Sequence, residues 1–179
     1  MKIAVFCGSR AGNDPDFAEA AKRLGRLIGE RGWTLVYGGA EEGLMGTVAT
    51  AVAEAGGSVI GILTEMPEII ETRHPLLTVC ETVKDLDARK ARMMELADAC
   101  IALPGGPGTL EELSEAISLA RLRVSSRRVL YLNEKHYYEP LTALLEGMVK
   151  AGFIAAEDLA LVTSADSPEE AVAILEKTR

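Results

Sequence analysis

The sequence predicts an α/β fold in three layers, a parallel sheet with helices on both faces, and three observations lead there. Short runs rich in β-branched and apolar residues alternate with helical stretches along the whole chain. The helical stretches carry their own start and stop signals. Three of the strand ends run directly into glycine clusters, "FCGSRAG", "YGGAEEGLMG" and "LPGGPGTLEEL".

The elements follow in order. "KIAVFCGS" is the first strand, and a helix follows from Asp14 to Arg31. Asp14 caps it, Pro15 occupies the first turn, and Phe17, Ala21, Leu24 and Ile28 recur at spacings of three and four until Gly32 ends it. That stripe is core. "WTLVYGG" is the second strand, Leu44 to Ala55 the next helix, and "SVIGIL" the third strand. The alternation repeats with "LLTVCETV", a helix over Asp85 to Ala97, "ACIALPGG", a helix from Thr109 to Leu122, and "RVLYLN". A helix over Pro140 to Ala151, a short "LALVT" and a terminal helix opened by Ser167 and Pro168 complete the chain. There is no low-complexity linker or break in composition, so one domain is expected over residues 1–179.

Composition narrows the function classes. With 179 residues, 48% of them hydrophobic, the chain suffices for one well-buried core. A net charge of −8 argues against a general nucleic-acid binder, which needs clustered Lys and Arg. The apolar runs fall far short of the ~20 residues that cross a bilayer, and no signal core opens the chain, so a cytoplasmic protein without a membrane partner is expected. Cys7, Cys80 and Cys100 are odd in number and lack CxxC spacing; they read as buried, inert thiols, with neither a disulfide framework nor a metal site.

Chemistry concentrates where the glycines do. In open parallel sheets ligands bind beyond the carboxyl ends of the strands, so all three clusters crowd one edge. Gly105, Gly106 and Gly108 would let backbone amides approach an anion at the positive end of the following helix. Neither GxGxxG nor GxxxxGK[ST] occurs, which disfavours a dinucleotide or a Walker-type NTPase site. The helical period places Arg89 and Lys90 near the stripe of Leu86, Met93 and Ala97. An inward guanidinium needs an anion, and a structural ion pair, a snorkelling stem or a ligand would each supply a solution. "TLEE", Thr109 to Glu112, forms a capping box, so Glu112 is either a cap or a carboxylate placed for acid-base work. Glu111 and Glu115 read as solvated or secondary. Leu110, Leu113, Ile117 and Ala120 make one apolar stripe while Leu119 and Leu122 lie opposite, which suggests a subunit interface or a covering helix.

"PGGPGTLEE" from Pro104 to Glu112 fits a PGGxGTxxE pattern, and with "FCGS", "LVYGG", "GLMG", "HPLLT", "RKARM" and "AGFI" the chain resembles the LOG (LONELY GUY) family over nearly its whole length. The resemblance implies a Rossmann-like, doubly wound protein, a homodimer or larger assembly with the site near the interface, that hydrolyses the N-glycosidic bond of a nucleoside 5′-monophosphate, a cytokinin riboside monophosphate or AMP, without cofactor or metal. It implies catalytic roles for Arg89 and Glu112, a phosphate loop at Gly105, Gly106, Gly108 and Thr109, and contributions from Ser9, Arg10 and Lys90. The lysine decarboxylase label often given to such chains is rejected, because that reaction normally recruits pyridoxal phosphate and no Schiff-base lysine context is evident.

The chain departs from that family at several points. Ala40 stands where a third glycine is usual, Thr64 in place of Pro, and Asp87 in place of His. The family's "TWxQLGIHxKP" becomes "SLARLRVSSRR", Ser118 to Arg128, which puts the preferred base in doubt. Arg121, Arg123, Arg127 and Arg128 there read as solvated cations near a helix C-terminus, or as reaching a neighbour's nucleotide. His74, His136 and Trp33 offer no base, ligand or stacking platform. Two other readings remain: a non-catalytic carrier of a phosphorylated ligand such as molybdenum cofactor, and a glycosidase of another nucleotide.

Overall fold

The computed structural model describes residues 1–125 and 127–177. Its strands are β1 (Lys2–Phe6), β2 (Thr34–Tyr37), β3 (Ser58–Thr64), β4 (Val79–Val83), β5 (Ala99–Ala102), β6 (Arg128–Leu132) and β7 (Val162–Ala165). They form one sheet in the order β4-β3-β2-β1-β5-β6-β7, and each neighbouring pair is parallel. Every strand read from the sequence is present. The helices are α1 (Pro15–Glu30), α2 (Gly43–Glu54), α3 (Leu86–Leu96), α4 (Pro107–Arg121), α5 (Glu139–Lys150), α6 (Ala156–Leu159) and α7 (Pro168–Glu176).

Alternation along the strands sorts side chains into two cores. Ile3, Val5, Leu35 and Ile101 face α1, α2 and α7, joining Leu24, Ile28, Val48 and Val172. Ala4, Phe6, Val36 and Cys100 face α3 and α4, joining Met93, Leu113 and Ala116. Each fully buried aliphatic side chain of this kind contributes roughly 1.5–3 kcal/mol. The result is the three-layer α/β fold.

Asp14 caps α1 as expected, its carboxylate accepting from the amide of Asp16, and Gly32 follows at φ +61°. The α4 start differs from the sequence reading. The helix begins at Pro107 with Gly106 as its N-cap and no side-chain cap bond, so Thr109 lies inside the first turn and the predicted capping box is not formed. Proline at the first helical position fixes this start, since it needs no amide there. Two short elements had no periodic signal: the 3-10 turn Glu134–His136 and α6.

Candidate active site

The order of strands places the site. From β1 the chain steps through β2 and β3 to the edge strand β4, then crosses back to lay β5 on the other side of β1. The connections after β1 and β5 therefore diverge, and a crevice opens between them at the carboxyl edge. The three glycine clusters meet there. The Gly8 amide donates to Pro104 O at 3.1 Å, and the Leu44 amide donates to Gly8 O at 3.1 Å.

The glycines divide into two kinds. A Cβ on Gly105 would stand 2.9 Å from the Gly8 amide nitrogen and run into Thr109. One on Gly43, at φ +61°, would strike the Ser9 and Arg10 backbone. These positions are empty so that loops can touch. Around Gly106 and Gly108 a Cβ would meet nothing within 4 Å. Open space there adjoins the first turn of α4, where the amides of Gly108 and Thr109 have no intrahelical acceptor.

This space is part of a cavity of about 230 Å³ whose wall includes Ser9, Arg89, Lys90, Gly106, Thr109 and Glu112. Arg89 enters from α3 and Glu112 from α4. Burial pushes the Glu112 carboxyl up to about 7, with Arg89 and Lys90 pulling it down and Glu111 and Glu71 pushing it up. A carboxyl at that value shares its proton with water near neutrality. Arg89 Nη1 donates to Glu71 Oε2 at 3.0 Å, while its buried Nε has no hydrogen-bond partner. Of the three solutions left open by the helical period, the ion pair is present and Arg89 also faces a cavity, while its largely buried side chain does not snorkel to water.

Other predicted residues stand differently. Lys90 Nζ is held by Glu111 at 2.5 Å, Asp87 at 3.1 Å and Glu115 at 3.7 Å, so Glu111 and Glu115 are not simply solvated. These carboxylates raise its pKa, chiefly through the Glu111 hydrogen bond. Arg10 and Gly105 line an adjoining depression of about 470 Å³ instead, with Phe17 and Tyr137; Ser9 and Gly106 border both. Among the cysteines, Cys7 and Cys100 are buried, Cys80 is half-buried, and Cys7 borders the main cavity. Burial first, then the Glu112 charge, raises the Cys7 pKa.

Sequence reasoning missed Glu71 and Tyr137. Glu71 lies in the connection between β3 and β4, which has no period to aim a side chain by. The substitution of Ala40 for glycine is accommodated because Ala40 is extended, bridging Arg73. His74 is buried, with Nε2 3.0 Å from Thr50 Oγ1 and Nδ1 accepting from the Leu76 amide, and Trp33 is buried beside Arg31.

The outer side of α4 corrects one assignment. Leu113, Ala116 and Ala120 are buried, but Leu110 is exposed, together with Leu122 and Val124 just beyond the helix. In the basic segment, Arg121 is exposed in the last turn of α4, whereas Arg127 is anchored, its Nε donating to Ala97 O at 2.6 Å. Ser126 of that segment lies outside the described residues.

Fold and site together define a Rossmann-like α/β protein with a cavity at the switch point of its sheet. The family model described as "Possible lysine decarboxylase" matches residues 45–175. A cytokinin riboside 5′-monophosphate phosphoribohydrolase of Rhodococcoides fascians is 42% identical over 153 residues, 85% of this chain and 77% of that protein. One of Arabidopsis thaliana is 42% identical over 178 residues, 98% of this chain and 81% of that protein. The chain belongs to this family, the LOG family. In structure it is similar to a molybdenum cofactor binding protein of Rippkaea orientalis, with TM-score 0.76 and 25% identity over 99% of this chain and 96% of that one. It is also similar to DNA processing protein A of Helicobacter pylori, at TM-score 0.66 and 13% identity over 99% of this chain and 81% of that one, a likeness of fold alone. No helix among the described residues is long and apolar enough to cross a membrane.

Proposed function

We propose that this protein hydrolyses the N-glycosidic bond of a nucleoside 5′-monophosphate, releasing the free base and ribose 5-phosphate. The observation that carries the reading is the convergence of Arg89 and Glu112 on a cavity bordered by the open, glycine-lined start of α4. The names of relatives 40–43% identical over most of the chain point to the same reaction.

The phosphate sits against Gly106, Gly108 and Thr109, where helix dipole and unpaired amides favour an anion. Ser9 borders the same space, and Arg10 and Gly105 extend it into the adjoining depression. Binding energy from the phosphate fixes the sugar while positive charge grows at C1′. Ionised Glu112 stabilises that charge and takes a proton from the attacking water. The C1′–N bond breaks with its electron pair leaving on the base, which takes a proton from solvent as it departs, balanced by the proton that Glu112 then returns to solvent. Arg89 holds the nucleotide and stabilises the leaving base. Lys90 contributes by neutralising Glu111, which lines the same cavity, with Glu115 at 3.7 Å.

Lysine decarboxylation does not suit the cavity. Imine formation with pyridoxal phosphate needs a neutral amine, and the three carboxylates around Lys90 hold it protonated.

The exposed Leu110, Leu122 and Val124 suit a second copy packing along α4. Light scattering of the wild type and of Leu122→Glu tests that dimer, which the substitution should dissociate.

The decisive assay supplies AMP, isopentenyladenosine monophosphate and CMP, each beside its unphosphorylated nucleoside, and follows base and ribose 5-phosphate. Release from a monophosphate and not from its nucleoside is expected, and the preferred base reads out the altered Ser118 to Arg128 segment. Tight binding of a phosphorylated ligand without release would favour a carrier, the reading that the likeness to the Rippkaea protein supports.

A further inference from the structure

The connection between β3 and β4 delivers one side chain to the cavity wall, Glu71. Its carboxylate meets Arg89 Nη1 at 3.0 Å, with the two side chains only 19% and 15% exposed. The backbone just after Glu71 is tied to the connection between β2 and α2. The Glu41 amide donates to Thr72 O at 2.8 Å, the Thr72 amide to Glu42 Oε1 at 3.3 Å, and the His74 amide to Gly39 O at 3.0 Å. Ala40 and Arg73 form an antiparallel bridge in the same seam. Buried His74, hydrogen-bonded through both ring nitrogens, anchors its far end. Glu71 is therefore presented from a held segment.

Arg89 needs such a partner. Its guanidinium lies along Gly38, where a Cβ would come to 3.5 Å from Nη1 and would strike Met45 Cε, so the missing side chain leaves room for the guanidinium. Its Nε is buried and unpartnered, a state that native proteins seldom leave without a use. One edge of the fork is committed to Glu71 and another donor is left unsatisfied beside a cavity. An arginine on a long flexible stem reaches that state only when something fixes its rotamer.

We propose that Glu71 is a positioning residue for the hydrolysis. It binds Nη1 so that the remaining Arg89 donors are already aimed at the nucleotide when it arrives. The inference rests on the role given to Arg89 above, and it assigns Glu71 no contact with substrate.

The test compares wild type, Glu71→Gln and Glu71→Ala with AMP and 2′-deoxy-AMP. A second readout needs no turnover: the rate at which phenylglyoxal modifies Arg89, followed by peptide mass spectrometry. Glu71→Ala should lower kcat by about 10²-fold, the scale of a small misplacement of a reacting group, with a smaller change in KM. Glu71→Gln keeps an acceptor for Nη1 and should recover most of that loss. Arg89 should react faster with phenylglyoxal in Glu71→Ala than in wild type. Unchanged kcat and unchanged Arg89 reactivity would overturn the inference, as would a lowered melting temperature with kcat intact. A loss confined to the ribonucleotide would make Glu71 a sugar ligand and overturn it too. Should the wild type cleave no monophosphate, the hydrolase reading fails by itself, and the phenylglyoxal comparison still decides whether Glu71 holds Arg89.

Discussion

Replacing Glu112 by Gln should stabilise this protein, and by an amount that depends on pH. Burial raises the folded carboxyl from its ordinary 4.5 to about 7. The folded state therefore holds a proton that the unfolded state has released across that interval. Its contribution is fully present below about pH 4.5 and is lost as pH rises through 7. The interval corresponds to about 3 kcal/mol. Gln is nearly isosteric, stays neutral, and removes this titration without removing the side chain. Urea unfolding of both proteins between pH 5 and 8.5 measures the difference, in which titrations common to the two cancel. The variant's advantage should grow by about 2.5 kcal/mol over the range, or roughly 5–10 °C in Tm for a chain of this size. A difference that stays flat with pH would refute the reasoning, because Glu112 would then ionise as an exposed carboxylate does. A variant that gains stability and loses turnover would mark Glu112 as a group kept for chemistry at the expense of the fold.

Four other outcomes are expected. Arg89→Ala should lower kcat by about 10²–10³-fold, as removal of an electrostatic stabiliser does, with the far-UV circular dichroism spectrum unchanged. The pH profile of kcat/KM should show an acid limb near 7, activity rising as Glu112 ionises. In Glu111→Gln that limb should move to lower pH, because a repelling charge is removed and Lys90 is freed to attract; the facing groups Arg89, Lys90, Glu71 and Cys7 remain. Arg123→Gly should stabilise the fold by about 0.5–1 kcal/mol in urea unfolding, since Arg123 closes α4 at φ +56°, a conformation that suits glycine.

The fold was legible because strands and helices impose periods. Seven apolar runs and the cap at Asp14 located most elements to within a residue or two, and the glycine clusters located the functional edge. Arg89 could be aimed inward because it sits on a helix of known period. Glu71 could not, for its position depends on backbone hydrogen bonds between two aperiodic loops. The Thr109 to Glu112 box failed for a related reason. Capping boxes are local signals, and Pro107 had already started the helix two residues earlier. Likewise Leu110 fits a core stripe by spacing and is nonetheless exposed, since only tertiary packing decides which side of α4 is covered.

The glycines of the loop give the sharpest separation between what the fold needs and what a ligand needs. Gly105 packs on Gly8 and Thr109, so its replacement is a folding experiment. Gly106 adopts φ −91°, open to any residue, and neither it nor Gly108 has a neighbour that a Cβ would touch. Gly108 also lies in the first turn of α4, where alanine is favoured over glycine by up to about 1 kcal/mol. Nothing in the folded chain requires glycine at either position. If the space is kept for a phosphate, Gly106→Ala and Gly108→Ala should fold as well as wild type, Gly108→Ala with a slightly higher Tm, while calorimetry shows weaker binding of ribose 5-phosphate. Wild-type affinity in both variants would mean that the phosphate does not rest against these two positions, and the far side of the adjoining depression, at Arg10 and Tyr137, would be the place to look.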